Sequence, residues 1–311
     1  MPTRSSSAAR ALAPVLAGLA LLLAACDATA APAPAAPSAT LPAATVEAPS
    51  PTSTPPPAPQ RVPVVVIDAG HAVDESGAVA HGVVEKDSNL DFALRVAALL
   101  RAQGVQPVLT RTADVRVAAP GQTPTQERGY NGTRLDLQAR VDLANAAGAD
   151  AFVSIHSNGA PTPDIRGHEV YFNASRPFAA GNRRLATLLH DGVTTELRAA
   201  GLPATPRGVI DDACLKPFGG RCYPLFLLGP VRRTDRAEIA ARGGTPEGLG
   251  LPPGEPALVS RASGMPAALV ELLFISSPED AAMLRDETAR DAMARGVARG
   301  ILDFLRAGEA R

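Results

Sequence analysis

Two periods of apolar positions run through most of the chain, and their alternation predicts the elements. Pro63 to Ile67 is a short, wholly apolar run rich in valine, as expected of a strand covered on both faces. From about Ser88 the period changes: Leu90, Ala93, Leu94, Ala97 and Ala98 recur at helical spacing, and Gly104 supplies a stop. Pro107 to Thr110 reads as the next strand. A second helix sets Leu137, Val141 and Ala144 on one side and ends near Gly148. Ala151 to Ile155 and Glu169 to Phe172 are further strands. Asn182 to Ala200 is a helix whose stripe is Leu185, Leu188, Leu189, Val193 and Leu197. Ala267 to Phe274 reads as a central strand. A helical C-terminal segment follows, capped by Ser276 or Ser277, with Pro278 in its first turn and Glu279 and Asp280 complementing the dipole.

Strands alternating with helices predict an α/β fold, a three-layer sandwich whose mostly parallel central sheet is flanked by helices. In such sheets ligands bind beyond the carboxyl ends of the strands. Two stretches break the alternation, 112–136 and 207–264. Both are rich in Gly, Pro and charge, and loops of that length in a compact domain usually serve as lids or binding loops or lack fixed structure.

The first sixty residues change the picture of where the protein works. Arg4 and Arg10 precede an apolar run, Ala11 to Ala25, that contains Pro14 and Gly18 and is too short for a permanent span. It ends in Leu23-Ala24-Ala25-Cys26, which resembles a bacterial lipoprotein signal with Cys26 as the lipidated residue. Residues 1–26 are therefore expected to export the chain and anchor it to a membrane by lipid. Residues 27–60 are dominated by Pro, Ala, Ser and Thr, with Asp27 and Glu47 the only charges. Such a stretch cannot offset its ordering entropy by burial and reads as a tether with a reach of about 100 Å. Residues 61–311 then form one domain, large enough to enclose a substantial core.

Among the 311 residues the formal net charge is −1, which gives no electrostatic footprint for nucleic acid. Besides Cys26 the cysteines are Cys214 and Cys222. In an exported chain a disulfide between them is the first reading, and a zinc clamp, lacking its other ligands, a distant second.

Chemistry is concentrated at two strand ends. Asp68-Ala69-Gly70-His71 follows the first strand, His156-Ser157-Asn158 the third, and Glu85 stands just before the first helix. Two imidazoles and a carboxylate suffice to hold a catalytic zinc with one position left for water. Glu271 interrupts the apolar run Ala268 to Phe274. A carboxylate there either faces a cleft as the base that hydrolysis needs, or pairs with a buried arginine such as Arg111 or Arg140. Taken one at a time, strand-end histidines are more often structural. His81, His168 and His190 are read that way, and Lys86 and Asp87 as a helix-start salt pair and cap.

Six blocks in order carry a family likeness: Val66-Ile67-Asp68-Ala69-Gly70-His71, Glu85-Lys86-Asp87-Ser88-Asn89-Leu90, Thr110-Arg111, Leu137-Gln138-Ala139-Arg140, Ser154-Ile155-His156-Ser157-Asn158, and Leu269 to Ser276. Together they resemble the zinc-dependent N-acetylmuramoyl-L-alanine amidases of the amidase_3 family. The resemblance implies that His71, Glu85 and His156 hold one zinc ion per chain and that Glu271 is the catalytic glutamate. It further implies hydrolysis of the amide between N-acetylmuramic acid and L-alanine, with peptidoglycan as the partner. A zinc peptidase acting on another amide and an inactive wall-binding lipoprotein are the competing readings. The chain departs from the family in carrying Ala72-Val73 where a Gly-Gly pair is usual, Ser277 where Asn is common, and an enlarged 118–134 region. One long loop covering the site until a protein activator moves it is a further expectation.

Overall fold

The computed structural model describes residues 61–218, 221–306 and 308. The export signal, Cys26 and the tether lie outside the described residues. In chain order the elements are β1 (Val64–Ala69), the two-residue strands β2 (Val79–Ala80) and β3 (Val83–Val84), α1 (Glu85–Ala102) and β4 (Gln106–Leu109). Next come α2 (Gly129–Ala146), β5 (Ala151–Asn158), β6 (His168–Phe172), α3 (Ala179–Ala199) and β7 (Pro206–Asp211). The long segment that follows holds β8 (Lys216–Phe218), β9 (Arg221–Tyr223), β10 (Arg233–Asp235), α4 (Arg236–Ala241) and β11 (Ala257–Val259). The chain closes with β12 (Ala267–Phe274), α5 (Pro278–Arg285) and α6 (Glu287–Arg306).

Six strands form one sheet in the order β4-β1-β5-β12-β6-β7. β4, β1, β5 and β12 run parallel, β6 is antiparallel to β12, and β7 is parallel to β6. The mostly parallel sheet thus turns direction once, between β12 and β6. Period-2 alternation sorts its side chains between two cores. Val65, Ile67, Val153, Ile155, Ala268 and Val270 face α1, α3 and α6, where they meet Phe92, Leu185, Leu189, Ile301 and Phe304. Val66, Phe152, Tyr171, Ala267 and Leu269 face the other way, onto α2 and residues 225–228. A third, small core of Ile239, Leu249 and Leu251 packs on Tyr130 and Leu135 of α2.

α3 and α6 approach to backbone contact. A Cβ on Gly192 would stand 2.2 Å from the Gly296 carbonyl oxygen, and one on Gly296 2.5 Å from the Val193 Cα. No side chain fits between the two helices at those positions.

Several boundaries differ from the sequence reading. α1 begins at Glu85, three residues earlier than expected, with Val84 at its N-cap and no side-chain cap. Asp87 therefore caps nothing, and Lys86 bonds Asp114 at 2.5 Å instead of Asp87. The last third of the 112–136 stretch is helical, and β7 lies at the start of the other long stretch. Ser277, not Ser276, caps α5, its hydroxyl accepting from the Asp280 backbone N–H. Cys214 and Cys222 are disulfide-bonded. No helix of the described residues is long and apolar enough to cross a membrane.

Candidate metal and catalytic site

The site lies at the carboxyl ends of the parallel strands, on the face that carries α2. β1 ends in a turn, Ala69-Gly70-His71, whose three carbonyl groups are all held by side chains. Arg111 donates to the Ala69 and Gly70 oxygens at 2.9 and 3.0 Å, and Asn89 to Gly70 at 3.2 Å. Arg140 donates to Ala69 at 2.6 Å and to His71 at 3.2 Å. The clamp is needed because His71 has φ 59°, in the left-handed region that costs a residue with a Cβ about 1–2 kcal/mol.

Beneath the turn, Asp68 is fully buried and bonded to Arg140 Nη1, the Thr110 hydroxyl and the Ser154 hydroxyl, at 2.7, 2.7 and 2.6 Å. Burial raises its pKa, but the Arg140 charge and the two hydroxyl donors outweigh it and hold the carboxyl below its ordinary value. Arg140 also bonds Asp136 at 2.7 Å. Arg111 and Arg140 thus serve the His71 turn and Asp68. Neither is the buried partner that Glu271 could have had.

His71, Glu85 and His156 come together from three elements. Each offers one ligand atom, and these atoms lie within 4.8 Å of one another. Glu85 Oε1 is 3.1 Å from His71 Nε2 and 2.9 Å from His156 Nδ1. The other Glu85 oxygen accepts from the Ala78 backbone N–H at 2.7 Å, which fixes the carboxylate plane. Burial raises the Glu85 pKa, but hydrogen bonds to His156 and His71 more than offset it, so the carboxyl sits well below the usual range. Gly70 is required here, since a Cβ on it would stand 2.2 Å from His156 Nε2.

The donor set suits a first-row ion. Ligand atoms about 2 Å from a tetrahedral ion stand a little over 3 Å apart, close to the two spacings that Glu85 makes. Among the described residues this is the one group of three or more His, Cys, Asp or Glu side chains so arranged.

Glu271 sits on β12 in register with His156 of β5 on one side and Glu169 of β6 on the other. Side chains directly opposite in a sheet share a face, so Glu271 stands beside His156 on the α2 face. The other histidines are elsewhere. His81 contacts the Ser276 carbonyl oxygen at 3.2 Å, and buried His168 bonds the Thr194 hydroxyl at 2.9 Å. His190 accepts from the Gly208 backbone N–H.

A cavity of about 390 Å³ opens beside His71 and His156. Its walls are Tyr130, Arg134 and Leu137 of α2, residues 223–227 of the segment after the disulfide, and Arg232 and Arg242. Residues 118–125 line a separate small cleft with Gln138 and Arg261. Both long stretches wall the site, 112–136 through its helical end (Tyr130, Thr133, Arg134 and Asp136) and 207–264 through residues 223–227, Arg232 and Arg242. Sequence reasoning passed over Arg134, Arg232 and Arg242 because surface arginines are common and their burial arises only from tertiary packing.

Fold and site together define a class: an α/β protein with a mostly parallel sheet and, at its strand ends, a cluster fit to hold one metal ion. The family profile Amidase_3, described as N-acetylmuramoyl-L-alanine amidase, matches residues 65–303, and the chain belongs to that family. It is 28% identical over 242 residues to N-acetylmuramoyl-L-alanine amidase LytC of Bacillus subtilis, covering 78% of this chain and 35% of that protein. It is 27% identical over 258 residues to N-acetylmuramoyl-L-alanine amidase AmiA of Salmonella typhimurium, covering 78% of this chain and 76% of the relative. The solved structure of the amidase AmiC2 of Nostoc punctiforme superposes with a TM-score of 0.51 at 28% identity, over 78% of this chain and 97% of that one.

Proposed function

We propose that this chain is a zinc-dependent N-acetylmuramoyl-L-alanine amidase. It hydrolyses the peptidoglycan amide that joins the lactyl group of N-acetylmuramic acid to L-alanine. The observation that carries the reading is the convergence of His71, Glu85 and His156 on one point, with Glu271 in register beside His156.

His71, Glu85 and His156 would hold the ion, one zinc per chain. Bound there, zinc supplies a Lewis acid for the amide carbonyl and lowers the pKa of water. Glu271 takes the proton of the attacking water and returns it to the leaving alanine nitrogen. Arg111 and Arg140 position His71 by fixing the carbonyls of its turn, and Gly70 admits the His156 ring. Residues 223–227 screen one side of the cavity from water. Export and lipid anchoring at Cys26 complete the reading, with the 27–60 stretch as tether. A protein activator acting on the 207–264 stretch fits the way that stretch walls the cavity.

Metal analysis and digestion of purified peptidoglycan test the core of it. About one zinc per chain and chelator-sensitive release of stem peptides with new N-terminal L-alanine are expected. Glu271→Gln should retain zinc and lower turnover by about 10³-fold, the scale of a lost general base. New ends at another peptide bond would make the protein a zinc peptidase instead, and zinc-free protein with full activity would remove the ligand assignment. Labelling with a radioactive fatty acid, lost in Cys26→Ser, tests the anchor.

A further inference from the structure

We propose that Arg134, with Arg232 and Arg242, forms a carboxylate-binding subsite in the wall of the cavity beside His71 and His156, and that it reads a free carboxylate on the stem peptide; this rests on the amidase reading. Arg134 projects from α2 and is 6% exposed. Its Nη2 makes a long contact of 3.5 Å to the Thr234 hydroxyl, and its guanidinium lies 4.1 Å over the Phe226 ring. Nε and Nη1 have no hydrogen-bond partner of good geometry, although Tyr130 lies close enough to raise the pKa of the group. Two buried donors of a charged fork left unsatisfied are costly, and a ligand that supplies two acceptors in one plane removes that cost.

The surroundings favour an anion. The Arg232 and Arg242 guanidiniums flank Tyr223, 3.7 and 5.0 Å from its ring, and both bond Glu238. Arg232 and Arg242 thus share that carboxylate, while among the described residues no ion pair joins Arg134 to an acid. The other acids of the cavity wall are engaged elsewhere: Asp68 and Asp136 with Arg140, and Glu75 at the His71 end. Burial lowers the Arg134 pKa to about 10, so the group remains cationic at neutral pH.

Chemistry selects the carboxylate. The alanine carboxyl is consumed in a peptide bond, so the nearest position on the peptide side that can bear a free acid is the second residue. Two extended residues span about 7 Å. A sphere of the cavity's volume is about 9 Å across, so one cavity spans both the metal cluster and that acid.

The test uses three synthetic muramoyl-tripeptides. One has a free α-carboxyl only at the second residue, one only at the third, and one is amidated at both. Wild-type protein is expected to cleave the first about 30-fold faster in kcat/KM than the fully amidated one, the scale of a charge-assisted hydrogen-bond pair. Arg134→Met should collapse that ratio towards one, and Arg134→Lys should restore part of it. Arg232→Met should lower it as well, which covers the case in which Arg134→Met fails to fold. A preference for the third-residue acid that Arg134→Met abolishes keeps the subsite and moves its ligand by one residue. Equal wild-type rates on all three, or variants that leave the ratio intact, overturn the proposal. If none is cleaved and purified wall also stays intact, the amidase reading fails. Calorimetry with the peptides alone then decides the subsite: tighter binding of a free acid, lost in Arg134→Met, sustains it, and equal binding ends it.

Discussion

Val73 stands in the left-handed backbone region, with φ 52°. Its branched Cβ makes that conformation costly, and three contacts enforce it: the Val73 N–H donates to Asp114, while Lys86 donates to the Val73 carbonyl and to Asp114. The side chain is 44% exposed, so little packing is lost with it. Val73→Gly is expected to stabilise the fold by about 1 kcal/mol, measured as a higher urea midpoint. Two buried titrating groups give opposing pH effects. Burial and the neighbouring His190 push His168 down to about 4, so the unfolded chain takes up a proton first as pH falls. The His168 contribution is complete above the ordinary value of 6.5 and is lost towards pH 4. Burial pushes Asp212 up to about 6 against the donors Asn173 and Leu225, so its penalty grows as pH rises from about 4 to 6. Urea midpoints across pH 4 to 7 should therefore separate the variants: His168→Gln removes the acid-side loss, and Asp212→Asn gains on wild type as pH rises.

At the scale of elements, what could be read in the sequence followed burial. β1, β5 and β12 are apolar and covered on both faces, and their runs were plain. β7 was not: Arg207, Gly208 and Asp211 break its pattern, and it is an edge strand with exposed positions. The start of α2 was obscured by Gly129 and Gly132, which are poor helix formers. The antiparallel direction of β6 depends on a connection and cannot be read from an apolar run. The cluster of His71, Glu85 and His156 was legible because its members lie at strand ends or begin a helix. The clamp by Arg111 and Arg140 was not, since an arginine's burial is decided by what packs over it. The glycine contact of α3 with α6 likewise appears in the sequence only as ordinary helix glycines. Gly296→Leu would force the backbones apart and is expected to destabilise by about 3 kcal/mol, lowering Tm by roughly 10 °C in calorimetry. Gly104→Ala, where a Cβ meets nothing within 4 Å but φ is 75°, should cost less, about 1 kcal/mol.

On the scale of the whole molecule the two faces of the sheet divide the labour. One is a dry core of sheet, α1, α3 and α6. The other carries His156, Glu271 and the cavity, roofed by α2 and a segment with its own small core, while Glu85 reaches the site from the first turn of α1. The ligand atoms belong to the turn after β1, to α1 and to β5, so metal binding is expected to withstand changes in residues 223–227 of that roof, but not the loss of Arg140, which holds the His71 turn. The roof has one covalent fastening, the bond between Cys214 and Cys222, both exposed, immediately before residues 223–227. Thiols in a reducing compartment stay open, and disulfides close in an oxidising one. A newly made chain would therefore carry its metal cluster complete while one wall of the cavity still awaited oxidation. Treatment with a mild reductant should mimic that stage: zinc content holds, while discrimination between free and amidated stem peptides declines. Substrate selection would then be the last property the protein acquires, and the first it loses when electrons are supplied.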